Sequence, residues 1–405
     1  YKEFQTSGKF VKKMEQLGLR TEKGFAITGV KAYLNEDKKE NASLALLGEL
    51  DALRIPEHAF ANPETNAAHC CGHHAQMAGV FGAALALTVP EIAEKLDGQV
   101  VFFATPAEEY GEIEFKNQLR EQGKIRYGGG KCELLRIGAF DDIDLCLTHH
   151  IRPGNEILVG SGTGNGFVSK VIRVLGKASH AAGAPEKGVN ALSAASLGLQ
   201  ALGLNRETFR DEDCVRVHPI ITKGGNLVNV IPDEVVVETL VRGKTIEAFT
   251  DAAKKTDRSF KAGAIAMGAK VEISTLPGYL PTLAEEALPE LKHAAEISAS
   301  GIPVIEASGH AGGSTDVGDV QHLMPVYTFN TGGVKGGLHQ IDFEVTDEEE
   351  AYIVTAKMFA LAAYGLLKEK AQRSRELVDQ YEPVFKNSAE YVEFMEQFDS
   401  KEIFE

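Results

Sequence analysis

Positive charge is scarce in this 405-residue sequence, where 42 lysines and arginines face 58 aspartates and glutamates and leave a formal net charge of −16. With no basic run to offset it, that charge repels phosphate backbones and anionic bilayers, which sets nucleic acid and membrane surfaces aside as partners. Long apolar runs are missing as well. Residues 80–89 form one of the longest, well short of the roughly 20 residues a spanning helix needs. Cysteine is sparse and odd in number: Cys70, Cys71, Cys132, Cys146 and Cys214, the first two adjacent. That argues against a disulfide framework and suits free thiols in a reducing compartment, so the cytoplasm is the expected location. The chain begins at Tyr1 rather than Met, so the lack of a leader adds nothing to that placement. What is present, 43% hydrophobic and 25% charged residues, is the composition of a globular protein with a large core. Its length suggests two or three domains of about 100–200 residues each.

Hydrophobic periodicity predicts an α/β pattern at the start: a helix over residues 4–17, a short buried strand over 43–47, and a helix of small residues over 76–87. Strands over 99–103 and 144–147 run out into polar residues, the place where open α/β sheets bind ligands. From about residue 166 the order becomes strand 167–174, helix 191–202, strand 214–222, strand 234–242, helix 246–267, strand 270–274. This β-α-β-β-α-β order is ferredoxin-like. The α/β pattern resumes over 283–297 and 325–329, and then in an alanine-rich helix over 347–367, opened by a Thr346 cap with Glu349 three residues on. The expected organisation is an α/β domain with a mixed sheet, residues 1–165 and 278–405, interrupted by an inserted α+β domain, residues 166–277. The charged end, residues 368–405, reads as a packing helix with Tyr391, Phe394 and Phe398 on one face.

Four places offer metal-type donors: His69–His74, Glu108–Glu109, His149–His150 and His339. Alone, each is weak, since single histidines are usually core or surface residues, paired acids are usually solvated, and adjacent cysteines pack as small hydrophobes. Together they supply thiolate, imidazole and carboxylate, the ligand set of Zn²⁺ and its neighbours.

The motifs in order resemble those of the M20 metallopeptidases and amidohydrolases. Glu49-Leu50-Asp51-Ala52-Leu53 is similar to the early aspartate motif, His69-Cys70-Cys71-Gly72-His73 to the Cys-Gly-His motif of the amidohydrolase branch, and Pro106-Ala107-Glu108-Glu109 to its glutamate pair. His150-Ile151-Arg152-Pro153, Gly176–Ala181, Pro185–Asn190, Asn229–Pro232, Gly312–Asp316 and Leu338-His339 complete the resemblance. It implies a homodimer with two divalent ions per subunit, Zn²⁺ or Mn²⁺, held by Cys71, His73, Glu109, His150 and His339. Glu108 falls where the branch places the general base, and Asp51 where a carboxylate orients an imidazole ligand. His180 resembles the histidine of the inserted dimerisation domain that reaches the partner's active site to stabilise the oxyanion. Asn229 and Arg242 resemble residues that hold the substrate carboxylate. Gly313 and Ser314 lie in a loop able to offer N–H groups to an anion.

There are departures from the pattern. His74 and Gln76 stand where the branch has Asp and a further His. Glu49 stands where carboxypeptidase relatives have a ligand histidine, and is a candidate extra ligand. Arg152 replaces an aromatic residue, and residues 111–130 look longer than usual, as a lid or a decoration. The expected activity is cleavage of N-acyl amino acids or aminobenzoyl-glutamate-like conjugates. The alternatives are a dipeptidase or carboxypeptidase, a binding protein that has lost the chemistry, and redox sensing through Cys70–Cys71, which requires an exposed thiol.

Overall fold

The computed structural model describes residues 1–299 and 301–405 and divides into two compact units. The first comprises Tyr1–Thr163, Leu283–His310 and Asp319–Tyr391. Its eight-stranded mixed sheet has the order Arg20–Phe25, Gly29–Leu34, Gln99–Thr105, Ser43–Glu49, Leu145–Ile151, Val326–Thr331, Ile157–Val159, Val304–Glu306. The four central strands, from Gln99–Thr105 to Val326–Thr331, run parallel. Ser43–Glu49 and Gln99–Thr105 are buried at every residue, as central parallel strands are when both faces are covered. Helices Phe4–Gln16, His73–Leu87, Pro289–Ser298 and Thr355–Gln380 close one face around Phe10, Met14, Val80, Phe102, Leu291, Met358 and Phe359.

Thr355–Gln380 begins in a π-helical turn, Glu349–Val354. The expected Thr346 cap does not form: its hydroxyl bonds to Gly333 O, while Asp347 accepts the Glu350 N–H. Glu349–Gln380 is long and apolar enough to cross a membrane by composition, but its apolar residues lie in the core. The helix also breaks at Lys368–Ala371, where Glu369, Lys370 and Ala371 have positive φ. Asp97 holds the break, its N–H donating to Leu367 O and its carboxylate accepting the Lys370 N–H.

The second unit comprises Gly164–Thr282, Ala311–Gly318 and Val392–Glu405. Gly166–Leu175, Glu234–Gly243 and Lys270–Tyr279 form an antiparallel core. Glu234–Gly243 alternates strictly, burying Val235, Val237, Thr239 and Val241, so one face packs and the other does not. Helices Ala191–Asn205 and Ile246–Met267 pack closely at Gly198, where a Cβ would meet Phe260 at 2.7 Å. The strand expected over 214–222 is two short pieces, Arg216–Val217 and Ile220–Lys223, both paired with Glu234–Gly243. The far end of the chain is not one helix. After Ser388–Glu396 it turns into a strand, Ser400–Phe404, that joins Lys270–Tyr279 through backbone pairing and the Lys401–Glu272 ion pair, while Glu402 pairs with Lys261 of helix Ile246–Met267.

Candidate metal centre

In the first unit the chemistry-bearing side chains collect at the carboxyl ends of the parallel strands. Ser43–Glu49 leads to Asp51, and Gln99–Thr105, aligned with it at Glu49 and Thr105, leads to Glu108 and Glu109. His149 and His150 lie inside Leu145–Ile151 rather than beyond it, so alternation turns them to opposite faces. His149 is buried against Thr331 Oγ1 at 2.8 Å, and His150 faces the other donors. Cys71 and His73 flank Gly72, whose φ is +87° and whose Cβ, if added, would sit 2.0 Å from Ile151 Cγ2. Only glycine makes this turn.

Two donor sets share one sulfur. Cys71, His73 and His150 offer atoms within 4.8 Å of one another, and so do Cys71, Glu109 and His339. Cys71 Sγ lies 3.4 Å from His150 Nε2 and 3.1 Å from His339 Nε2, and Glu109 Oε1 lies 2.9 Å from His339 Nε2. The other ring nitrogens fix the orientations: His73 Nδ1 donates to the backbone Asp51 O at 3.1 Å, with Asp51 Oδ1 also 3.1 Å away, and His150 Nδ1 donates to Ile151 O at 2.8 Å. That leaves each Nε2 as the free donor, the usual arrangement of a ligating histidine. His73 Nε2 is buried with no hydrogen bond to satisfy it, and a cation shared with Cys71 would satisfy it. The residues fit the metal ions that the sequence implies.

The electrostatics point the same way. Burial raises the Cys71 thiol far above its ordinary value, so a thiolate there needs a cation beside it. Burial alone would raise Asp51, but His73 and the Glu109 N–H, 2.9 Å away, outweigh it and hold the carboxylate below its usual range. Burial lowers His150, and lowers His149 further. Neutral imidazole is the form that ligates; burial would lower His73 too, but Asp51 and Glu49 outweigh it and raise His73 well above its ordinary value, so a cation bound at its Nε2 displaces a proton.

Glu108 is buried with Oε2 4.0 Å from His73 Nε2, in a third donor set with Glu49. The 111–130 segment contains a helix, Ile113–Glu121, whose Lys116 donates to Glu109 O at 2.6 Å and braces the acidic loop. Gln76 also has a defined place: its Oε1 accepts the Glu49 N–H at 2.8 Å and its Nε2 donates to His149 O at 2.6 Å. Cys70 is fully buried, its thiol raised by burial and directed at Ala68 O. It lacks the exposure that redox sensing requires. Lys131 went unnoticed in the sequence, yet it is fully buried and pairs with Glu49 at 2.5 Å. The available signal was weak: Lys131 lies beside Cys132, Leu134 and Leu135, in a helix, Gly130–Arg136, that also carries Glu133 and Arg136.

The second unit gathers the remaining candidates in two places. The His180 loop pairs with the Asn229 loop, Ala181 N–H donating to Asn229 O at 2.9 Å. His180 is exposed, and its Nδ1 accepts the Ala182 and Gly183 N–H groups, which leaves Nε2 to carry the proton. Arg242 donates to Ser314 Oγ at 3.2 Å, and Gly313 O accepts the Asn165 N–H.

The sequence profile of Peptidase family M20/M25/M40 matches residues 45–364. This chain belongs to that family. The Xaa-Arg dipeptidase of Mus musculus is 28% identical over 311 residues, 75% of this chain and 64% of the dipeptidase. This M20 chain therefore matches just under two thirds of that relative's length. An N-acetyl-L-cysteine deacetylase of Bacillus subtilis is 25% identical, with 92% of this chain and 86% of the deacetylase covered. The fold is similar to that of the Bacillus subtilis YXEP protein, described as a dinuclear metal binding peptidase, with TM-score 0.61, 23% identity, and coverage of 91% and 93% of the two chains.

Proposed function

We propose that this chain is a binuclear metal-dependent amidohydrolase that cleaves N-acyl amino acids or aminobenzoyl-glutamate-like conjugates. The observation that carries the reading is the pair of donor sets sharing Cys71, with Glu108 beside them and outside both. In this reading Cys71, His73 and His150 hold one ion, and Cys71, Glu109 and His339 the other. When bound, such a pair polarises an amide carbonyl and acidifies a water. Glu108 takes the water's proton and returns it to the leaving nitrogen. Asp51 orients His73. In the second unit, read as an inserted ferredoxin-like dimerisation domain, His180 offers Nε2–H to the developing oxyanion, and Asn229, Arg242, Gly313 and Ser314 bind substrate. The strand order, with Gly166–Leu175 between Glu234–Gly243 and Lys270–Tyr279, supports that fold assignment. Exposed Ile220, Leu227 and Val228 on and after its edge strand support a homodimer. Free cysteines support a reducing, cytoplasmic setting, and the thiolate favours zinc over manganese.

A dipeptidase is the second reading, favoured by the similarity to the Xaa-Arg dipeptidase over 75% of this chain. The test is metal analysis with a panel of N-acyl amino acids and dipeptides, before and after chelation and refilling with Zn²⁺ or Mn²⁺. About two equivalents with restorable cleavage of acyl amino acids support the first reading; dipeptide cleavage alone supports the second. Glu108→Gln should keep both metals while turnover falls about 10²–10⁴-fold. Loss of metal in that variant refutes the assignment of Glu108 as base.

A further inference from the structure

Glu49 is held at three points in the first unit. Its N–H donates to Gln76 Oε1, its Oε1 meets Lys131 Nζ at 2.5 Å, and its Oε2 lies 3.3 Å from His73 Nε2. Carboxylate and ammonium are both buried, at 3% and 0% exposure. The spacing from Oε2 to His73 Nε2 is chemically informative. Ligand bonds of about 2.0–2.2 Å place two donors of one ion roughly 3–3.5 Å apart, so Glu49 stands within coordinating reach of whatever His73 binds. Yet Glu49 groups only with His73 and Glu108, whereas His73 groups with Cys71 and His150 in the set that shares the sulfur. The imidazole nitrogen thus stands between a thiol-histidine set and a carboxylate set.

Lys131 decides between them. A buried carboxylate needs a counter-charge, and a dication at His73 and the Lys131 ammonium would compete for the same group. We infer that Lys131 withholds Glu49 from the ion at His73, making Glu49 a latent oxygen donor that the ammonium and Gln76 keep outside the coordination sphere. The inference rests on the binuclear reading above. It carries a consequence for metal choice: holding back a hard oxygen donor keeps the site rich in sulfur and nitrogen, which favours Zn²⁺ over Mn²⁺. The ion pair is then a device of metal selection, built from residues distant in sequence from the other donors.

The test uses the full-length protein stripped of metal and refilled with Co²⁺, whose visible bands weaken as coordination number rises. Glu49→Gln should leave the wild-type Co²⁺ spectrum unchanged, because Glu49 is not a ligand while Lys131 is present. Lys131→Met should weaken the bands and raise the affinity for Mn²⁺ relative to Zn²⁺ about tenfold, within the range by which groups behind the ligands tune such sites. The double variant, which buries no unpaired charge, should return to the wild-type spectrum and metal preference. A changed spectrum in Glu49→Gln overturns the inference, since Glu49 would then be a resident ligand. So does a Lys131→Met protein identical to wild type, or a double variant that keeps the Lys131→Met spectrum. If Lys131→Met fails to fold, Glu49→Gln and the double variant still decide. Failure of the wild-type protein to bind Co²⁺ at all would instead remove the binuclear reading itself.

Discussion

Replacing Asp51 by Asn tests whether one carboxylate supports both donor sets. Asp51 Oδ1 lies 3.1 Å from His73 Nδ1 and Oδ2 accepts the Glu109 N–H at 2.9 Å. The Glu109 N–H donates to the carboxylate, while His73 Nδ1 bonds to the backbone Asp51 O at 3.1 Å and has Oδ1 beside it at ion-pair distance. Asparagine has one acceptor and one donor end, so either orientation sets two N–H groups against each other. With the amide nitrogen toward His73, the imidazole keeps its bond to Asp51 O but loses the negative charge beside Nδ1 and meets an N–H there instead. With it toward Glu109, the loop carrying a donor of the other set is pushed away. Losing such a support typically lowers metal affinity 10–100-fold, about 1.4–2.7 kcal/mol. The assay is calorimetric titration of Zn²⁺ into chelator-stripped protein, with circular dichroism to confirm the fold. An Asn variant that binds both ions with wild-type affinity would refute the reasoning.

Other perturbations follow from the same geometry. Gly72→Ala forces a Cβ to within 2.0 Å of Ile151 at a φ of +87°, so we expect a loss of about 2 kcal/mol or more in urea unfolding; an unchanged midpoint would contradict this. Burial raises Glu285 well above its ordinary value, so the folded chain keeps a proton that the unfolded chain releases. Its contribution to stability is full below the unfolded value of 4.5 and is lost as pH rises toward the folded one. Glu285→Gln, which can keep the contacts to Thr328, should therefore melt higher than wild type at pH 8, with the gap closing in acid; a gap that widens in acid would be the wrong sign. His180→Ala should keep its metals and lose about 10²–10³-fold in turnover, and normal turnover would remove the oxyanion role.

Much of the centre was legible in the sequence because parallel strands deliver their loops to one edge. Runs such as Leu44–Leu47 and Val100–Phe103 mark the strands, and the polar residues after them fall at the ligand end. The supports were harder to read. Lys131 and Glu49 are 82 positions apart, and the apolar neighbours of Lys131 hint at burial without naming its partner. The break at Lys368–Ala371 contains neither glycine nor proline and depends on Asp97, remote in sequence. The Ser400–Phe404 strand is exposed at all but one residue. Its pairing is set by the edge it joins rather than by its own pattern.

That last strand has a consequence for growth and termination. A sheet with two bare edges can add copies of itself without limit, which is the route to fibrils. Here the chain covers the Lys270–Tyr279 edge with its own Ser400–Phe404. Among the described residues, the side of the sheet formed by Arg216–Val217 and Ile220–Lys223 has no strand paired beyond it. Two chains meeting there about a twofold axis would join their sheets across that side and leave Ser400–Phe404, a five-residue strand carrying Lys401 and Glu402, as the outer edge of each half, short and charged as protected edges are.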